Sequence, residues 1–183
     1  MDGRLFTFAG SGSGPWRVMR MTAVSGAPIP PCSRLDILPG HASPKAAWTL
    51  RGIISNERYV NRDEKNDLVA RQEGLGRAAS TCGALIPIRK NAAWWALTQD
   101  ERRAIFEQKS THIQTGMKYL PAISRRLHHC RDLGEPQPFD FITWFEFAPE
   151  DTVAFDDLLA ALRATPEWSY VDWEVDIRLI LEI

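Results

Sequence analysis

Apolar and polar residues alternate most regularly at the C-terminal end of the chain. The pattern places Val171, Trp173, Val175, Ile177 and Leu179 on one face of a strand and Tyr170, Asp172, Glu174, Asp176 and Arg178 on the other. Residues 139–147 alternate in the same way, with Phe139, Phe141, Thr143, Phe145 and Phe147 opposite Asp140, Ile142, Trp144 and Glu146. Residues 119–129 predict a third strand, with Ile123, Arg125, Leu127 and His129 on one face. Between these, residues 152–164 are amphipathic with a helical period. Upstream, residues 5–9, 16–24, 47–55 and 84–88 predict strands, the first two separated by the glycine-rich run 10–15. Pro87 restricts residues 84–88 to an edge or a strand end. Residues 63–76 predict a helix with Leu68, Gln72 and Leu75 on one stripe. Thr98 and Glu101 form a capping-box pattern, and the helix it opens is expected to run through Ile105 and Phe106 towards His112, stopping near Gly116. Proline and glycine clusters at 26–31 and 38–44 bracket a loop-rich stretch. This order predicts an α+β fold, an antiparallel sheet with helices on one face, for which a ferredoxin-like unit fits best.

Three polar residues interrupt these apolar stripes. His112 lies seven residues after Ile105, so it falls on the buried stripe of its predicted helix, as a hydrogen-bonded core histidine or as a ligand. Arg125 lies between Ile123 and Leu127 on the core face of its strand. A buried guanidinium costs several kcal/mol, roughly, unless a carboxylate or a bound anion meets it, so it predicts a structural ion pair or an anion site. Gln72 is the third. Together they are candidates to line one cavity, with the histidine as a metal or haem ligand and the arginine and amide holding a small anion. Trp94 and Trp95 beside Arg89 and Lys90 suit the ring and propionates of a porphyrin, or else a core or an interface.

Composition narrows the classes. Hydrophobic residues make up 44% of the 183, enough for a substantial core. Lys and Arg total 22 against 23 Asp and Glu, so no basic field points to nucleic acid. No apolar run approaches the length of a membrane span, roughly 20 residues. Residues 1–8 lack the basic-then-apolar layout of a secretory signal, which makes the cytoplasm the expected location. The three cysteines, Cys32, Cys82 and Cys130, fit neither a disulfide framework nor a metal motif and read as reduced thiols. His128 and His129 point to opposite faces of a strand and make a poor metal pair. Walker, dinucleotide-binding and nucleophile-elbow motifs are all missing from the sequence.

The blocks Trp48-Thr-Leu-Arg-Gly, Ser55-Asn-Glu-Arg-Tyr59, Leu75-Gly-Arg, Ala84-Leu-Ile-Pro-Ile-Arg-Lys90, Trp94-Trp95-Ala-Leu, Tyr119-Leu-Pro-Ala-Ile, Leu127-His-His, Phe139-Asp-Phe-Ile-Thr-Trp-Phe-Glu-Phe147 and Glu174-Val-Asp-Ile-Arg178 occur in this order. In this the chain resembles the chlorite dismutase family of haem b proteins, and most of all its short-chain, dimeric branch. The likeness runs from about residue 47 onward, so residues 47–183 are expected to form the haem-binding ferredoxin-like part and residues 1–46 a shortened N-terminal portion packed on it. The resemblance implies a dimeric α+β barrel type of fold and a homodimer. It implies His112 as the proximal iron ligand, Arg125 as the mobile distal arginine and Gln72 as a distal glutamine able to hydrogen-bond it. Lys90 and Trp95 match residues at the haem edge and propionates. Glu167 matches the carboxylate that accepts from the proximal histidine, with Glu146 as the fallback. The implied activity is conversion of chlorite to chloride and dioxygen. A coproporphyrin-haem decarboxylase, a peroxidase-like relative and a non-catalytic haem-binding protein are the alternatives.

Overall fold

The computed structural model describes residues 3–56, 58–131 and 133–182. Eight strands, β1 (Leu5–Ser11), β2 (Trp16–Ser25), β3 (Arg34–Pro39), β4 (Trp48–Ile54), β5 (Cys82–Lys90), β6 (Ser124–His129), β7 (Phe141–Phe147) and β8 (Val171–Leu181), pair antiparallel in the order β1-β3-β2-β8-β5-β7-β6-β4. β4 returns to β1, with Phe8 opposite Leu50, so the sheet closes into a barrel. This corrects the expectation of a simple ferredoxin-like sheet. The N-terminal strands bond to β4 and β8, and closure removes the free edges that an open sheet would leave. β3 lies within the stretch that its prolines and glycines mark as loop.

Closure gives every strand an inner and an outer face. Inside, Phe8, Trp16, Leu35, Leu85, Trp144 and Ile177 fill the barrel, with Trp16 and Trp144 edge to face at 4.8 Å. Gly83 makes room for them: a Cβ there would lie 2.6 Å from the Trp144 ring. Outside, helix α5 (Thr152–Arg163) lays Phe155, Leu158, Leu159 and Leu162 against Ile86, Phe145 and Phe147. β7 is therefore apolar on one face for the barrel and on the other for α5. Two carboxylates on the polar face of β8 are equally dry. Glu174 and Asp176 are 1% and 2% exposed, and Arg163 of α5 bridges both at 2.6 and 3.0 Å.

Two predicted helices differ from the structure. Helix α1 (Arg62–Arg71) opens with a capping box between Asn61 and Glu64 and ends one residue before Gln72, whose backbone is extended. Gln72 and Leu75 therefore lie beyond the helix instead of on its stripe. Short helices α2 (Ala92–Ala96) and α3 (Gln99–Arg103) follow, and Glu101 accepts from the Thr98 N–H at 2.8 Å as the capping pattern predicts. The helix does not then continue to His112. It widens into π-helical turns over Ala104–Lys109, breaks at Thr111 (φ 49°, left-handed), and restarts as α4 (His112–Met117). The seven-residue spacing from Ile105 assumes an unbroken period, which the π-turns remove. The Glu107 carboxylate accepts from the Ile113 N–H at 2.8 Å, serving a donor freed by the break. Among the described residues no helix is long and apolar enough to cross a membrane.

Candidate active site

The π-turns, α4, α5 and the outer faces of β5, β6 and β7 enclose one large cleft of about 1120 Å³, its open mouth included. Its walls are mostly apolar, among them Ile86, Ile88, Leu127, Phe141 and Phe145. His112 lines it from α4, and Arg125 lines it from β6.

His112 is held from behind by a carboxylate. Its Nδ1 lies 2.6 Å from Glu167 Oε2, and Phe106 stacks on the imidazole at 4.3 Å. The donating nitrogen must be Nδ1, because Glu167 is ionised. Burial alone would raise the Glu167 pKa, but the charges and hydrogen bonds of His112 and Lys90 overcome it and hold the carboxyl down at about 2. Nδ1 thus holds a proton, and in a neutral imidazole Nε2 is the nitrogen with a free lone pair. The second Glu167 oxygen takes the Lys90 ammonium at 2.8 Å, in a pair whose side chains are 2% and 4% exposed. Burial lowers the Lys90 pKa, and Glu167 opposes it. Ser110, just before the break, receives the Glu167 backbone N–H on its hydroxyl at 3.0 Å.

Arg125 has no acidic partner among the described residues. Burial is the only influence on its pKa and lowers it, yet a guanidinium starts so far above neutral pH that it stays charged. An uncompensated cation facing an apolar cleft is an anion site in waiting.

The structure brings His112, Glu167, Lys90 and Arg125 to the one cleft. Gln72 and Trp95 lie off its lining. The Gln72 amide donates to the Arg125 backbone carbonyl at 2.9 Å. Trp95 stacks on Phe141 at 6.1 Å and donates to Asp140 at 3.2 Å. Lys90 spends its ammonium on Glu167. Glu146 is inside the barrel, accepting from the Trp144 indole at 2.8 Å, so of the two carboxylates only Glu167 meets His112. Arg126, pointing the other way from Arg125, also turns into the barrel and lies over the Phe6 ring.

Tyr59 and Trp94 also line the cleft; Trp94 is one of the tryptophans that suit a porphyrin, whereas pattern offers no role for Tyr59. The Tyr59 hydroxyl and Trp94 Nε1 are buried without a hydrogen-bond partner among the described residues. Tyr59 sits in an irregular segment at φ 65°, where no periodicity could flag it; the family-like block 55–59 was the one available signal. These orphaned donors bear on the implied cofactor. A porphyrin offers a flat apolar ring to such walls, carboxylates to such donors, and an iron to a lone-pair imidazole. The residues present fit haem b. Among the described residues no three His, Cys, Asp or Glu side chains converge, and a macrocycle that brings its own nitrogens needs only one protein ligand.

The family model for chlorite dismutase matches residues 40–179. A chlorite dismutase from Ideonella dechloratans is 34% identical over 131 aligned positions, covering 68% of this chain and 42% of that protein, so the chain spans under half of that relative's length. Among solved structures, a dimeric chlorite dismutase from Nitrobacter winogradskyi is 54% identical, with a TM-score of 0.90, covering 97% of this chain and 99% of its own. A chlorite dismutase variant from Candidatus Nitrospira defluvii shares the fold at a TM-score of 0.66 and 18% identity, covering 100% of this chain and 93% of its own. With a cleft built as described and these likenesses along nearly its whole length, the chain belongs to the chlorite dismutase family.

Proposed function

We propose that the protein is a haem b enzyme that converts chlorite to chloride and dioxygen, acting as a cytoplasmic homodimer. The observation that carries this is the placement of His112 and Arg125 on one apolar cleft, the first backed by a carboxylate and the second without one. His112 would hold the haem iron through Nε2. Glu167 keeps that nitrogen available by fixing the proton on Nδ1 and makes it a stronger donor. Lys90 balances the Glu167 carboxylate charge. Tyr59 and Trp94 would donate to the propionates. When bound, haem b supplies an iron centre whose changes of oxidation state break the O–Cl bonds of chlorite. Arg125 would draw the substrate anion into the cleft and hold its atoms there until chloride and dioxygen form. The apolar walls would exclude competing water. The homodimer rests on the likeness to the Nitrobacter protein.

Oxygen evolution by the haem-loaded protein on adding chlorite, followed on a Clark electrode, tests this directly. The expected yield is one dioxygen per chlorite. His112→Ala is expected to lose the haem, and Arg125→Ala to bind small anions more weakly and bleach in fewer turnovers. A Soret band without gas would overturn the activity in favour of a decarboxylase, a peroxidase-like relative or a haem carrier. No Soret band at all would remove the cofactor as well.

A further inference from the structure

β6 carries Arg125 on an edge that runs out of strand. β4 pairs with it only at Ile53–His129 and Ile54–His128, and Ser55 adds one bond from its N–H to the Leu127 carbonyl at 2.9 Å. Towards Arg125, no further backbone partner lies on that side among the described residues. Side chains take its place. Asn56 Oδ1 accepts from the Leu127 N–H at 2.8 Å, and the Gln72 amide donates to the Arg125 carbonyl at 2.9 Å. Arg77 completes the series: Nη2 donates to the Ala122 carbonyl at 2.7 Å and Nη1 to the Pro121 carbonyl at 3.1 Å. Its orientation is set by Glu73, one helical turn earlier in number, at 2.9 Å. In return the Ser124 hydroxyl donates to the Gly74 carbonyl at 3.2 Å, so segment 72–77 is stitched to segment 121–125 in both directions.

We propose that Arg77 is a positioning residue for the reaction, a latch that holds the root of β6 so that Arg125 presents its guanidinium to the cleft. The inference rests on the reading of Arg125 as the anion-binding residue. Its physical basis is that one planar fork satisfies two consecutive carbonyls, which a point charge or a single amide cannot do. Without it those carbonyls turn to solvent, the turn before β6 loosens, and the long Arg125 side chain loses its fixed base. Arg77 reaches neither the cleft nor the substrate, and acts only through the backbone.

The test compares wild type with Arg77→Gln and the milder Arg77→Lys, each also in an Arg125→Ala background. In the haem-free protein, hydrogen–deuterium exchange of the peptide covering 121–128 is expected to quicken about tenfold in Arg77→Gln, and less in Arg77→Lys, with exchange in β8 unchanged. In the haem-loaded protein, fluoride is the probe, since it binds without reacting. Arg77→Gln is expected to weaken fluoride binding several-fold when Arg125 is present and not at all when Arg125 is already alanine. Equal weakening in both backgrounds, or unaltered exchange at 121–128, would overturn the latch. Should Arg77→Gln not fold, Arg77→Lys carries the same comparison. Should wild type take up no haem, the proposed function fails by itself, and the exchange result still decides whether Arg77 holds the strand.

Discussion

His128 shows what a single buried residue does in this barrel. It is fully buried, with Phe6 and Phe8 edge-on at 5.7 and 4.9 Å. Nδ1 donates to the Ile142 carbonyl at 3.2 Å and Nε2 accepts from Arg126 at 3.1 Å, so the ring is the neutral Nδ1–H tautomer. Burial, and then the Arg126 charge, push its pKa from 6.5 down to about 3. Because the unfolded chain binds that proton first, stability is present above the unfolded value and is lost as pH falls from 6.5 towards 3. The melting temperature of the haem-free protein is therefore expected to fall across that window, and His128→Gln to fall less steeply; parallel curves would remove His128 as the cause. That His128 cannot pair with His129 on one metal is readable from adjacency in a strand. That it is a neutral acceptor for Arg126 is not, since both side chains gain their surroundings only when the barrel closes around them.

At the scale of elements, the strands were far more legible than the helix ends. A period of two survives any amount of twist, so β7 and β8 stand close to where their alternation places them. Helix α5 is equally plain, and its apolar stripe is the wall that joins the barrel to the cleft. Phe155 is its anchor, 0% exposed and packed on Phe145 and Phe147 at 5.0 and 4.5 Å. Phe155→Ala is expected to destabilise by about 3–5 kcal/mol, from lost burial plus the cavity left behind. Urea denaturation measures this, and a loss under about 1 kcal/mol would mean that α5 is not held by this contact. The segment before His112 is the opposite case. Its residues favour a helix, but the π-turns, the left-handed Thr111 and the Glu107 carboxylate on Ile113 break it there. Only the docking of that segment against Glu167 and the barrel selects such a break, so the periodicity of the sequence points to His112 through a helix that does not exist as drawn.

On the scale of the whole molecule, the strands are two walls at once. Their inner faces fill the barrel, and the outer faces of β5, β6, β7 and β8 support α5 and the cleft. A homodimer is expected to sediment at equilibrium with the mass of two 20.7 kDa chains at micromolar concentration; a mass of one chain would exclude it. The amino-acid sequence by itself determined most of the strands though not β3, the amphipathic α5, the absence of a basic field, and the face of β6 that carries Arg125, because each follows from local spacing or composition; it pointed to His112 only through a helical period that the π-turns break. The family resemblance also pointed to Glu167. Tertiary structure decided the rest. Closure depends on which distant edges meet, β4 with β1 and β2 with β8, and nothing within a strand encodes its partner. Whether Glu167 or Glu146 meets His112, whether Lys90 is spent on a carboxylate, and whether Gln72 reaches the Arg125 guanidinium or only its backbone are questions of position in space. Apart from Arg125, the buried groups named here settle them by finding compensation wherever burial leaves them, since an unpaired charge or carbonyl away from water costs more than the choice of partner saves.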